Sequence, residues 1–206
     1  MKKIFLKVCG MRDEANIAAL TGLQPGFIGF IFHEISPRYC EKVPKVPVPE
    51  SIRKTGVFVN KSEEYIAGKK KDFHLDYIQL HGSESPDFCR EIQQSVAPVI
   101  KAFNLHDDFD FDSLRPYEKT CAFFLFDASG QLSGGNGITF NWQILKQYRG
   151  TTPFLLSGGI DESMADAIRN INHPAFYGVD INSRFETLPG IKDINKIKRF
   201  KNELQS

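Results

Sequence analysis

In Ile4-Phe5-Leu6-Lys7-Val8-Cys9-Gly10-Met11-Arg12, a short apolar run stops at a cysteine and a glycine. A helical segment then starts at Asp13, whose carboxylate is placed as an N-cap, with Ile17 and Leu20 on one side. The unit is a strand, a break that carries a polar or reactive residue, and a crossover segment. The rest of the chain repeats it. Further strands are expected at 27–32, 55–60, 76–80, 97–102, 121–126, 153–156 and 176–181. Several are almost continuously apolar, as Phe27-Ile28-Gly29-Phe30-Ile31-Phe32 is, which suits a parallel sheet covered on both faces.

The crossovers are read more coarsely. Ser62 caps a helix through about Lys70, and Ser85 or Ser83 caps one over 86–94 with Pro86 near its first position. Helices are also expected at 161–168 and 193–203, and one restarts at 141–145. Pro44, Pro47 and Pro49 predict an extended loop before a short or irregular helix, and 107–114 predicts a loop with a short helix. Ser129 to Gly137 holds four glycines and predicts a loop over whatever Asp127 faces. Eight strands with crossovers predict an α/β fold, a closed (β/α)8 TIM barrel forming a single domain over 1–206. An open flavodoxin-like sheet is the alternative, but it would leave two of the eight strands without a place.

Acidic and basic residues nearly cancel, for a net charge of +1, so neither nucleic acid nor an anionic membrane is an expected partner. No apolar run is long enough to span a bilayer. The opening residues lead to no cleavage site, and Cys9, Cys40, Cys89 and Cys121 stand far apart without the spacing of a zinc site. A cytoplasmic protein with reduced thiols and no metal is expected.

In a closed barrel every strand's carboxyl end lies on one rim, where barrel enzymes keep their active sites. That rim would carry Cys9, Arg38, Asn60, His81, Asp127, Gly158, Gly159 and Ser183. Ser157-Gly158-Gly159 offers backbone N–H groups to an oxyanion, and Asn182-Ser183 adds donors from the next loop. Barrels commonly hold a phosphate between these two loops. Taken singly, Cys9 is also compatible with a small core residue, Asp127 with a turn or cap, and Arg38 with a surface ion pair.

Several blocks, in order along the whole chain, closely resemble the phosphoribosylanthranilate isomerase family. They are Lys7-Val8-Cys9-Gly10-Met11, Gly29-Phe30-Ile31-Phe32 with Ser36-Pro37-Arg38-Tyr39, Gly56-Val57-Phe58-Val59-Asn60 and Ile78-Gln79-Leu80-His81-Gly82. Phe126-Asp127 with the block from Gly134 to Trp142, Leu156-Ser157-Gly158-Gly159-Ile160 and Gly178-Val179-Asp180-Ile181-Asn182-Ser183 complete the set.

The resemblance implies a (β/α)8 barrel of tryptophan biosynthesis that converts N-(5-phosphoribosyl)anthranilate to its 1-deoxyribulose 5-phosphate product without a cofactor. It implies Cys9 as general base, Asp127 as general acid and Arg38 near the anthranilate carboxylate. The only implied partner is the small phosphorylated substrate, and the chain is expected as a monomer or homodimer. An acid must hold a proton and a base must lack one, so Asp127 is expected above and Cys9 below its ordinary pKa. His81 is expected as a polar rim residue beside the pocket. Asp180 is expected to orient the eighth loop or bond backbone donors there.

One departure stands out. The family usually continues after the position of Ser183 with glycine and valine before glutamate, whereas this chain has Arg184-Phe185-Glu186, which leaves the phosphate loop's geometry open. Another phosphosugar isomerase or epimerase, or a barrel that only binds a phosphosugar, are the competing readings.

Overall fold

The computed structural model describes residues 3–128 and 142–206. The expected glycine-rich loop and the block from Gly134 to Asn141 lie outside them. The described chain runs β1 (Phe5–Val8), α1 (Glu14–Thr21), β2 (Phe27–Ile31), β3 (Arg53–Phe58), α2 (Glu63–Phe73), β4 (Tyr77–Leu80), α3 (Pro86–Ser95), β5 (Val99–Asn104) and β6 (Phe123–Asp127). It continues through β7 (Phe154–Ser157), α4 (Ala165–Arg169), β8 (Phe176–Ile181), a two-stranded hairpin of β9 (Glu186–Leu188) and β10 (Ile191–Lys192), and α5 (Ile194–Gln205). Strands β1 to β8 pair in sequence order, all parallel, and β8 closes on β1. The expected barrel therefore forms, with no free edge among β1 to β8.

Alternation along each strand divides two apolar regions. On β6, Phe123 and Leu125 point into the barrel with Ile100, Ala102 and Leu155, while Phe124 and Phe126 face the outer layer. Phe5 stacks on Tyr177 at 4.3 Å, Phe27 and Phe123 meet Tyr177 edge-on, and Tyr77 meets Phe27 and Phe123 in the same way. This aromatic plug fills the end where the strands begin. Outside, α5 buries Ile197, Phe200 and Leu204 along one stripe, and Phe200 packs against Phe185 at 4.9 Å. Each such burial contributes about 1.5–3 kcal/mol.

Asp13, Ser62 and Ser85 cap their helices as expected, each accepting a backbone N–H in the first turn, and Asp193, expected as the first helical residue, does the same for α5. The crossovers differ in detail. No helix forms between β2 and β3, where three prolines hold the chain extended and a turn at Pro49 closes directly onto β3. Helix α2 runs a turn past Lys70 because His74 adopts the left-handed conformation at φ 50° and caps it without a glycine. The segment after β5 becomes a 3₁₀ helix over Phe111–Tyr117, with Pro116 inside it, and another 3₁₀ helix covers Trp142–Gln147. The β9–β10 hairpin was not expected. No described helix is long and apolar enough to cross a membrane.

Candidate active site

Pairing continues one step beyond β1, because Cys9 N–H donates to the Ile181 carbonyl and Met11 N–H to that of Gly29. The chain is thereby pinned between β8 and β2 as it leaves the barrel. Gly10 turns at φ +76°, and a Cβ there would come within 2.8 Å of both Arg38 Cδ and Asn182 Oδ1. Gly29 makes the space for the thiol: a Cβ on it would lie 2.9 Å from Cys9 Sγ. Cys9 remains only 5% exposed. Burial pushes its thiol up; Lys7 and Lys192 draw it down and Asp180 opposes them, and the net direction is upward. The lowered thiol expected from the sequence is thus corrected, because desolvation inside the barrel outweighs the two lysines.

Asp127 ends β6 three strands away round the rim, by way of β8 and β7. Its Oδ2 faces His81 Nε2 at 3.5 Å, and Gln79 Nε2 holds His81 Nδ1 at 3.0 Å from below. Asp127, Ser157, Gly158, Gly159, Asp180 and Asn182 to Arg184 line one cleft of about 210 Å³. Gly158 and Gly159 have φ of +93° and +63°, which turns the loop back over the strand end. Arg184 sits in a short 3₁₀ turn, Ser183–Phe185, and is not among the residues of positive φ. The departure from the family's glycine therefore costs no backbone strain, and it places an arginine among the residues that line the cleft.

Asp180 does not bond backbone donors of the eighth loop as expected. Its Oδ2 takes the Lys7 ammonium at 2.7 Å, because Lys7 and Asp180 are register neighbours on β1 and β8 with both side chains buried. Its Oδ1 has no hydrogen-bond partner among the described residues.

Arg38 is bound on the far side of Cys9. Its Nε and Nη2 form a fork on Glu186 at 2.7–3.0 Å, and Lys192 Nζ donates to Glu186 Oε1 at 2.7 Å and to Asn182 Oδ1 at 2.6 Å. Asn16 exchanges two hydrogen bonds with the Lys192 backbone and so ties the hairpin to α1. Glu186 and Lys192 were not picked out from the sequence as site residues. Pro189-Gly190, with Gly190 at φ +84°, was the one signal of a hairpin turn. Asn60 lies further round the rim, where its Oδ1 accepts from Ser83; Glu84 and the buried Lys101 brace the same loop. Among the described residues no group of three or more His, Cys, Asp or Glu side chains is placed to hold a metal ion.

The rim thus carries the Asp127 cleft and the Arg38–Glu186–Lys192 cluster, joined through Asn182, with Asn60 apart from both. A profile of the N-(5'-phosphoribosyl)anthranilate (PRA) isomerase family matches residues 6–203, almost the full chain. The chain belongs to the PRA isomerase family.

Curated relatives agree. The N-(5'-phosphoribosyl)anthranilate isomerase of Parabacteroides distasonis is 46% identical over 202 residues, covering 96% of this chain and 91% of its own. That of Phocaeicola vulgatus is 43% identical, with 98% of each chain covered. Among solved structures, the phosphoribosyl anthranilate isomerase of Thermotoga maritima superposes with a TM-score of 0.84 at 27% identity, covering 98% of this chain and 99% of that one. A solved phosphoribosyl anthranilate isomerase in complex with reduced 1-(o-carboxyphenylamino)-1-deoxyribulose 5-phosphate superposes with a TM-score of 0.81 at 26% identity, again covering 98% and 99%.

Proposed function

We propose that this PRA isomerase family member converts N-(5-phosphoribosyl)anthranilate to 1-(2-carboxyphenylamino)-1-deoxyribulose 5-phosphate with Asp127 as general acid and Cys9 as general base. The observation that supports this most is the placement of the two groups: both end strands of one barrel at the same rim, on different sides of Asp180, with the oxyanion loops beside Asp127.

Asp127 gives its proton to the ribose ring oxygen as the C1′–O bond breaks, and the anilino nitrogen's lone pair forms the Schiff base. The Cys9 thiolate then takes the C2′ proton, and the resulting enolamine tautomerises to the ketone. His81, 3.5 Å from Asp127, lies close enough to temper the carboxylate left behind. Backbone N–H groups at Gly158 and Gly159 hold the phosphate, with Asn182, Ser183 and the Arg184 guanidinium on the other side. Arg38 binds the anthranilate carboxylate. Glu186 already takes Nε and Nη2, so the edge carrying Nη1 is the one presented to substrate.

Freshly prepared N-(5-phosphoribosyl)anthranilate, followed by fluorescence, should be converted at a steady rate. The Arg38→Met variant should raise KM at least tenfold, because a charge-assisted pair contributes about 1.5–3 kcal/mol. Turnover confined to a sugar phosphate without the aryl carboxylate would favour another phosphosugar isomerase, and binding without turnover would favour a non-catalytic barrel.

A further inference from the structure

A lysine inside a barrel needs a reason. Interior positions of this fold are normally filled by branched apolar residues. A buried ion pair is often no more stabilising than apolar side chains of the same volume. Yet Lys7 is 0% exposed within β1, and its ammonium donates to Asp180 Oδ2 at 2.7 Å. Strand alternation puts residue i+2 on the same face, and residue i+2 is Cys9. The ammonium is thereby anchored by a carboxylate on one side and set against the thiol on the other.

We propose that Lys7 is a positioning residue for the isomerase reaction, favouring the thiolate form of Cys9 from within the barrel while Asp180 fixes the ammonium in place. The inference rests on the reading of Cys9 as the base, and Lys7 offsets part of what burial takes from that reading. Burial alone pushes the Cys9 thiol up, away from the form a base requires, and among the opposing groups Lys7 acts most strongly. Burial works against the Lys7 charge as well, but Asp180 and Cys9 more than offset it, so Lys7 stays protonated.

The other charged groups facing Cys9 do not replace Lys7. Asp180, from β8, repels a thiolate. Lys192, from β10, attracts one, but its ammonium is committed to Glu186 and Asn182. From β2 the neighbour is Gly29, which has no side chain, and Arg38 beyond Gly10 spends its fork on Glu186.

The test reads the sulfur directly. Alkylation of Cys9 by iodoacetamide is followed against pH through the mass of its peptide, which separates it from the buried Cys40, Cys89 and Cys121. The variants are Lys7→Met and, because a lone Asp180 is costly to bury, the pair replacement Lys7→Met with Asp180→Leu. The alkylation midpoint should rise by at least about one pH unit in Lys7→Met, a tenfold loss of thiolate below it, and by less in the pair replacement, which also removes the Asp180 charge that repels the thiolate. The acid limb of the kcat profile of Lys7→Met should move the same way. A folded variant that keeps the parent's midpoint overturns the inference. Should the midpoint shift while Cys9→Ala still turns over, the role of Lys7 on the thiol stands and the assignment of Cys9 as base fails.

Discussion

Gly29 shows how little room is left around the Cys9 thiol. A Cβ there would lie 2.9 Å from Cys9 Sγ and 3.1 Å from Cys9 Cα, and the second contact is with backbone that cannot swing aside. Gly29→Ala should therefore displace the thiol by tenths of an ångström and lower kcat at least tenfold, since small misplacements of catalytic groups have large effects on rate. Overpacking should cost about 1–3 kcal/mol of stability in urea unfolding. An unchanged kcat would show that the thiol has slack the geometry denies it. Cys9 and Asp127 were legible from their blocks of sequence, because each ends a strand. The state of the thiol was not. Lys7 looks like a break in an apolar run, and nothing in a linear sequence reports that its neighbour on the closing strand is Asp180, or that burial would outweigh it at Cys9.

The β9–β10 hairpin is the element that sequence reading left out, and it closes the site on the Arg38 side. Its residues are few, its strands are three and two residues long, and its energy comes from a charge cluster rather than from an apolar face. Such an element leaves no periodicity to read. Burial pushes the Glu186 carboxyl up, but hydrogen bonds from Arg38 and Lys192 outweigh it and hold the group below the usual carboxylate range. A carboxylate depressed in the folded state contributes stability above its unfolded pKa of about 4.3, and that contribution is lost as pH falls through the lower folded value. Glu186→Gln should thus lose about 2 kcal/mol at pH 7, measured by urea unfolding, and the gap from the parent should narrow below about pH 4. Equal stability at pH 7 would mean that the hairpin is held by something other than this cluster. Where elements had a periodic apolar stripe or a capping side chain, as α3 and α5 do, their positions were legible to within a residue or two. Between β2 and β3 the prolines were legible, but the expected helix was not there.

The barrel as a whole is apolar where the strands begin and polar where they end. The aromatic plug of Phe5, Phe27, Tyr77, Phe123 and Tyr177 seals one end, while Lys7, Thr55, Gln79 and Asp180 are buried polar residues on the strands nearer the other. That gradient leaves one rim for chemistry, and the closure of β8 on β1 brings residues far apart in sequence to it. Eight strand-like runs were enough to anticipate the closure, because parallel strands with right-handed crossovers leave few other arrangements. What ties fold to function is the claim that one thiol and one carboxyl on this rim divide the proton transfers between them. The direct measurement is turnover of N-(5-phosphoribosyl)anthranilate by Cys9→Ala and by Asp127→Asn, alongside titration of each with reduced 1-(o-carboxyphenylamino)-1-deoxyribulose 5-phosphate. Each variant should bind that analogue nearly as the parent does while kcat falls by about 10²–10⁴-fold or more. A rate near the parent's in either variant would contradict the acid–base pair.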